Sequence, residues 1–218
     1  MNLQNPKKFK LLIDQAHQVA INVLRPISRK YDKAEHSYPK ELDMLASLVD
    51  GMNEGGEGMN AGAAVGKRGT NEQGNKNGVN LSTALSVIEM CYGDTALLLS
   101  MPRQGLGNSA IAAVANEEQL ERFKNTWAAM AITEPNCGSD SAAIRTTATK
   151  DGDDYILNGE KIFVTSGDRA DAIVVWATLD KKLGRSAIKS FVIPKGTAGM
   201  TVERLEHKLG VKASDTAV

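Results

Sequence analysis

Ala131-Ile132-Thr133-Glu134-Pro135-Asn136-Cys137-Gly138-Ser139-Asp140 lies just past the point where the periodicity of this chain changes. Before about Ala128 apolar residues recur at helical spacing. After it they fall into short β-branched or aromatic runs separated by Gly, Asp, Asn and Lys. On the far side of the quoted stretch, Thr146–Thr149, Tyr155–Leu157, Ile162–Thr165, Ala172–Trp176 and Ser190–Ile193 read as strands. Asp151-Gly152 reads as a hairpin turn, because positive φ costs glycine little.

On the near side, Phe9, Leu12, Ile13, Ala16, Val19, Ala20, Val23 and Leu24 form one stripe of a helix running from Pro6 to about Tyr31. Pro26 is expected to end or kink it, since proline lacks the donor an interior turn needs. A second helix opens at Pro39, buries Leu42, Leu45, Ala46 and Val49, and stops at Gly51. Asn80 is a suitable N-cap for a helix over Leu81–Tyr92, with Leu85, Val87 and Ile88 toward the core, and Asp94 caps a short helix through Ser100. Ala110–Ala115 follows, and Asn116-Glu117-Glu118-Gln119 has the form of a capping box ahead of Leu120, Phe123 and Trp127. The expected fold class is therefore α+β. An all-α helical domain over residues 1–127 precedes an antiparallel, β-barrel-like domain over residues 128–218.

The totals narrow the function. The 218 residues carry 26 Lys plus Arg against 26 Asp plus Glu, so no net field draws the chain to nucleic acid or an anionic membrane. A small molecule or another subunit is the expected partner. Cys91 and Cys137 are the only cysteines, and His17, His36 and His207 lie far apart in sequence, so the spacing encodes neither a disulfide framework nor a metal site. This usage suits a reducing compartment, and a cytoplasmic location is expected. Leu11-Leu12-Ile13 is broken by Asp14, which excludes a signal-peptide core, and no stretch approaches the ~20 apolar residues of a membrane span.

Thr133 to Asp140 joins a strand end, a proline, an Asn-Cys-Gly turn and a serine, so backbone N–H groups and two hydroxyls can converge on an anionic cofactor oxygen. Taken alone, the pattern reads more readily as an ordinary β turn. Phe163 and Thr165 are two apart on an expected strand and would share a face, where an aromatic ring beside a hydroxyl can flank a flat heterocycle. Taken alone, each is better read as core.

Together, and in this order, Thr133-Glu134-Pro135 running into Gly138-Ser139-Asp140 and Gly159-Glu160-Lys161 ahead of Phe163-Val164-Thr165 resemble the flavin-contacting signature of acyl-CoA dehydrogenases. The resemblance extends to Lys208-Leu209-Gly210-Val211-Lys212-Ala213-Ser214-Asp215-Thr216. It implies an FAD-dependent oxidoreductase of fatty acid metabolism that converts an acyl-CoA to the trans-2-enoyl-CoA. An electron-transfer flavoprotein would be the electron acceptor, and the full-length protein a homo-oligomer. It places Met130, Ile132, Thr133, Gly138 and Ser139 along the flavin and its pyrophosphate, with Ser139 also at the CoA side. It sets Phe163 against the isoalloxazine, where tryptophan is usual, and Thr165 near N5. Met130 stands where the family often has an aromatic. Leu98 and Leu99, with Leu97, fall where the family lines the acyl chain, although an apolar stripe is more often plain core. The family's glutamate base belongs to a C-terminal helical-bundle domain beyond Val218, so no catalytic residue is nominated, Glu134 serves the turn, and the chain alone should lack turnover.

Two other readings stand beside this one: a non-catalytic flavin- or partner-binding module, and a flavin-dependent acyl-CoA oxidase. Residues 51–78 hold nine of the 20 glycines and read as a mobile surface loop. Within it, Gly56-Glu57-Gly58-Met59-Asn60-Ala61 mimics a dinucleotide fingerprint without a preceding strand, and Gly66-Lys67-Arg68 mimics a phosphate loop without the magnesium-binding hydroxyl. Both are rejected.

Overall fold

The computed structural model describes residues 7–54, 79–103 and 106–218. The two glycine-rich decoys and most of the expected loop lie outside the described residues. The chain divides into two compact units, residues 1–104 with 207–214, and residues 105–206 with 215–218. The division does not follow the change of periodicity at Ala128, because the helices over residues 106–123 pack with the strands.

The first unit is helical. A 3₁₀ turn leads into α1 (Lys10–Val19), which continues through a π turn (Ala20–Leu24) into α2 (Arg25–Lys33). Pro26 falls in the first turn of α2, where a missing donor costs nothing, and the wide turn ahead of it absorbs the mismatch by pairing the Arg25 N–H with the Ala20 carbonyl. The helix therefore passes through the proline without ending. Next, α3 (Glu41–Glu54) buries Leu42, Leu45 and Ala46 as expected but runs through Gly51, so that glycine does not end it.

In α4 (Val79–Leu99) the backbone breaks at Asp94, which is extended at φ −172°, and its carboxylate caps the new turn by accepting from the Leu97 N–H at 2.9 Å. The buried stripe of α4 is Ser86, Met90, Gly93 and Leu97. Ile88, two residues past Ser86, turns about 200° away from that stripe and is exposed, contrary to the expected core face. Gly93 allows a close crossing, since a Cβ there would meet the Ala20 carbonyl oxygen at 2.7 Å. Leu24, Tyr31, Leu42, Met90, Leu97 and Met101 share one core with Ala213 of the returning segment. Among the described residues no helix is long and apolar enough to cross a membrane.

The second unit packs α5 (Leu106–Val114) and α6 (Glu117–Phe123) with a five-stranded sheet. Its strands are β1 (Ala128–Ala131), β2 (Thr147–Asp151), β3 (Asp154–Asn158), β5 (Ala172–Thr178) and β6 (Ile188–Pro194). Asn116 and Gln119 form the expected capping box on α6. Gly107 lets α5 lie on β1, because a Cβ there would meet the Ala129 carbonyl oxygen at 2.2 Å. Asn108 then clamps the strand entrance by donating to the Thr126 carbonyl at 2.6 Å and accepting from the Ala128 N–H at 2.9 Å.

The expected antiparallel barrel is not formed; the sheet is mixed and open. β1 pairs in parallel with the first half of β5 and β2 meets its last residue in parallel, while β6 runs antiparallel along its whole length. Short β-branched runs identify strands but not their directions, and a parallel neighbour needs only a long crossover. Here residues 132–171 supply it. The Asp151-Gly152 turn forms as read, with Gly152 at φ +59° closing the β2–β3 hairpin.

Candidate functional site

The crossover between β1 and β5 contains both halves of the motif. β1 is built of alanines because three of its four residues are buried, and it delivers Ile132 and Thr133 to the sheet end. Glu134 and Cys137 then close a tight turn with reciprocal backbone bonds of 2.9 and 3.1 Å, leaving Pro135 and Asn136 exposed at the tip.

The Glu134 side chain points inward and is 6% exposed. It accepts from the Arg145 N–H (2.6 Å), the Thr146 N–H (2.9 Å), the Thr146 hydroxyl (2.6 Å) and Lys161 Nζ (2.7 Å). Burial pushes its pKa up, but the Lys161 ammonium, the Thr146 hydroxyl and the two backbone donors outweigh it and hold the carboxyl down at about 2. Burial lowers the Lys161 pKa, with Glu134 opposing it. Beside the pair, burial and the Glu134 charge push the Cys137 thiol up, which keeps it a neutral packing group.

Lys161 also donates to the Ile132 carbonyl at 2.9 Å, and the next residue, Ile162, donates its N–H to the Thr133 carbonyl at 2.9 Å. The second half of the motif is thus pinned to the first by an ion pair and two backbone contacts. Gly159 makes this possible. A Cβ at that position would meet Thr146 Oγ1 at 2.4 Å, so only glycine lets the chain cross Thr146 and bring Lys161 to Glu134.

Beyond the pin, the expected strand over Ile162–Thr165 is shorter than read. β4 covers only Val164–Thr165, paired antiparallel with β7 (Thr216–Ala217). Phe163 lies before it at φ +59°, so strand alternation does not relate its direction to that of Thr165. A left-handed phenylalanine is strained by about 1–2 kcal/mol, and this residue is 59% exposed. Ser166, on the other side of β4, is also left-handed at φ +60°. Its N–H donates to the Asp215 carbonyl and the Asp168 N–H to the buried Asp215 carboxylate, so the far end of β4 is held as firmly as the near end.

The sequence-predicted residues are distributed as follows. Thr133 and Gly138 adjoin, since the Thr133 methyl lies 3.8 Å from where a Gly138 Cβ would be. Ser139 follows them on the surface. Met130 and Ile132 are half-buried, and Thr165 is exposed beside Phe163. An exposed ring, two threonine hydroxyls, a bare glycine backbone and a serine thus lie on the two chain segments that the Ile162–Thr133 bond and the Lys161–Glu134 pair hold together. This set of groups suits a flat heterocycle with an anionic tail. Leu98 and Leu99 belong to the helical unit. There Leu98 is half-buried against the core cluster, Leu99 is 46% exposed, and Leu97 is fully buried. Sequence reading missed the roles of Thr146 and Arg145 in seating Glu134. A buried pair 27 residues apart leaves no local signature beyond Gly159 and Lys161 themselves.

Residues 129–218 match the family model of the acyl-CoA dehydrogenase middle domain. The chain is 32% identical over 224 residues to the short-chain-specific acyl-CoA dehydrogenase of Clostridium acetobutylicum, which covers 99% of this chain and 55% of that protein. The butyryl-CoA dehydrogenase structure from Megasphaera elsdenii covers 100% of this chain and 56% of its own, at 27% identity and a TM-score of 0.77. A chain in the structure described as the electron transferring flavoprotein of Acidaminococcus fermentans covers 100% of this chain and 55% of its own, at 30% identity and a TM-score of 0.78. The chain thus spans about half the length of the relatives it matches. The motif halves pinned by Glu134 and Lys161, the sheet that holds them and the relatives that match along the whole of this chain agree, and the chain belongs to the acyl-CoA dehydrogenase family.

Proposed function

We propose that these residues form the flavin-edge portion of an FAD-dependent acyl-CoA dehydrogenase that converts an acyl-CoA thioester to the trans-2-enoyl-CoA. The observation that carries the reading is Phe163, an exposed ring kept in a strained left-handed conformation by a backbone pinned on both sides. Bound FAD would supply the acceptor for the β hydrogen of the acyl group, which leaves as hydride. Phe163 would cover one face of its ring system, and Thr133 and Thr165 would present hydroxyls to its edge. Met130 and Ile132 would pack beside them, and Gly138 and Ser139 would meet the pyrophosphate. Ser139 also meets the CoA side, and Leu98 and Leu99 line the acyl chain.

Glu134 is not the proton-abstracting base. Its oxygens already accept from five donor contacts if the Cys137 thiol at 3.8 Å is counted, and a carboxyl held at about 2 has little affinity for an α proton. We assign the base to none of the residues of this site. An electron-transfer flavoprotein as acceptor, a homo-oligomeric full-length enzyme and a cytoplasmic location complete the proposal.

The test is FAD titration of the purified 218-residue chain followed by addition of butyryl-CoA and an electron acceptor. Saturable flavin binding with no enoyl-CoA formed is expected. Turnover by these residues alone would contradict the assignment of the base, and absence of flavin binding even when the chain is joined to a relative's remaining half would contradict the flavin edge.

A further inference from the structure

A cluster unrelated to the flavin edge lies in the helical unit. Past the end of α2 the chain turns through Glu35 and His36, and the segment His207–Ser214 returns against it. Glu35 takes the His207 ring nitrogen Nδ1 at 3.0 Å on one carboxylate oxygen and the Lys208 N–H at 3.0 Å on the other. The His36 and His207 rings are 5.3 Å apart at 54°. One ligand atom from each of Glu35, His36 and His207 lies within 4.8 Å of the others.

His36 is the unusual member. It is held left-handed at φ +67°, and both of its ring nitrogens are buried without a hydrogen-bond partner among the described residues. A buried imidazole with neither nitrogen satisfied costs on the order of 1–3 kcal/mol, and a native fold keeps such a group where something else satisfies it. Two imidazoles and a carboxylate form a donor set suited to zinc and its first-row neighbours, whereas magnesium and calcium prefer oxygen alone.

We propose that Glu35, His36 and His207 bind one divalent transition-metal ion of the zinc class. Three protein ligands leave a fourth position for water, and the His207 side chain, 85% exposed, gives the ion its way in. Bonds of about 2.0–2.2 Å set the donor atoms roughly 3.5 Å apart, so the cluster closes by about 1 Å, which side-chain rotation supplies. The Glu35 carboxylate is ionised in place. Lys212 faces it and Lys208 is drawn aside to the Ser214 carbonyl, so the cations nearby weaken the site. The ion ties residues 172 apart in sequence and stabilises the return of His207–Ser214 onto α2.

The test is calorimetric titration of the chelator-treated 218-residue chain with zinc chloride alone, with cobalt chloride as a visible-absorption probe. One ion per chain and a cobalt band of four-coordinate character are expected. His36→Ala and His207→Ala should each weaken zinc binding by at least about tenfold and abolish the band. His207 is exposed enough that its variant keeps the fold, which circular dichroism checks. His17→Ala, in α1 and paired with Glu89, should bind as the parent does. Failure of the parent to bind saturably, parental affinity in the His207→Ala variant, or loss of binding in His17→Ala would each overturn the proposal.

Discussion

The motif that identifies this chain has an inside and an outside, and the two obey different rules. Inside, Glu134, Lys161, Thr146 and the Ile132 carbonyl are buried or half-buried and bonded to one another, and the Thr133 carbonyl accepts from the Ile162 N–H beside them. Outside, Gly138, Ser139, Phe163 and Thr165 are exposed, and the largest of them is strained. The buried Glu134–Lys161 pair of the signature therefore does structural work, and the exposed neutral residues Gly138, Ser139, Phe163 and Thr165 form the surface available to a ligand. An acidic residue in a functional motif is easily taken for an acid or a base. Here its partners show it to be an anchor.

The largest effect that could break this contrast comes from Lys161. Replacing it with methionine strands the buried Glu134 carboxylate and should cost about 3–5 kcal/mol, read as a lower midpoint in urea unfolding with the slope unchanged. A neutral outcome would make the pair ornamental. Lys161→Met combined with Glu134→Gln should recover part of the loss, because the uncompensated charge is removed with its partner.

Acid gives the next largest effect. The folded pKa of Glu134 lies below its unfolded value, so its contribution is full above about pH 4.5 and is lost as pH falls toward about 2. The shift corresponds to about 3 kcal/mol. Unfolding free energy measured across that window should therefore fall by about this much more in the parent than in Glu134→Gln. Parallel curves would show that the carboxylate is not held by its neighbours.

How much of this the sequence disclosed depends on the length scale of each feature. The helices, the Asn116–Gln119 capping box, the Asp94 cap and the Gly152 turn are local, and each was readable from a few residues. Ile88 was misplaced because three apolar neighbours, Leu85, Val87 and Ile88, do not reveal which side the stripe of Ser86 and Met90 will face. Strand directions were lost because β5 takes its parallel partners from distant parts of the chain. Phe163 reads from the sequence as a residue within a strand, since nothing in Ile162-Phe163-Val164 announces a positive φ. The approach of His207 to Glu35 was hidden by a separation of 172 residues, so histidines that seemed unrelated in sequence meet in space.

A smaller effect sharpens the contrast most, because it asks the outside to behave unlike the inside at a single position. Phe163→Gly removes the ring and relieves the left-handed strain together. The decisive measurement pairs its urea unfolding with its FAD titration. The account predicts stability held or raised by about 1 kcal/mol, with flavin affinity at least about tenfold weaker, a loss of about 1.4 kcal/mol in binding. A variant that loses stability while keeping the parent's flavin affinity would show that Phe163 belongs to the scaffold, and would contradict the division on which the proposed function rests.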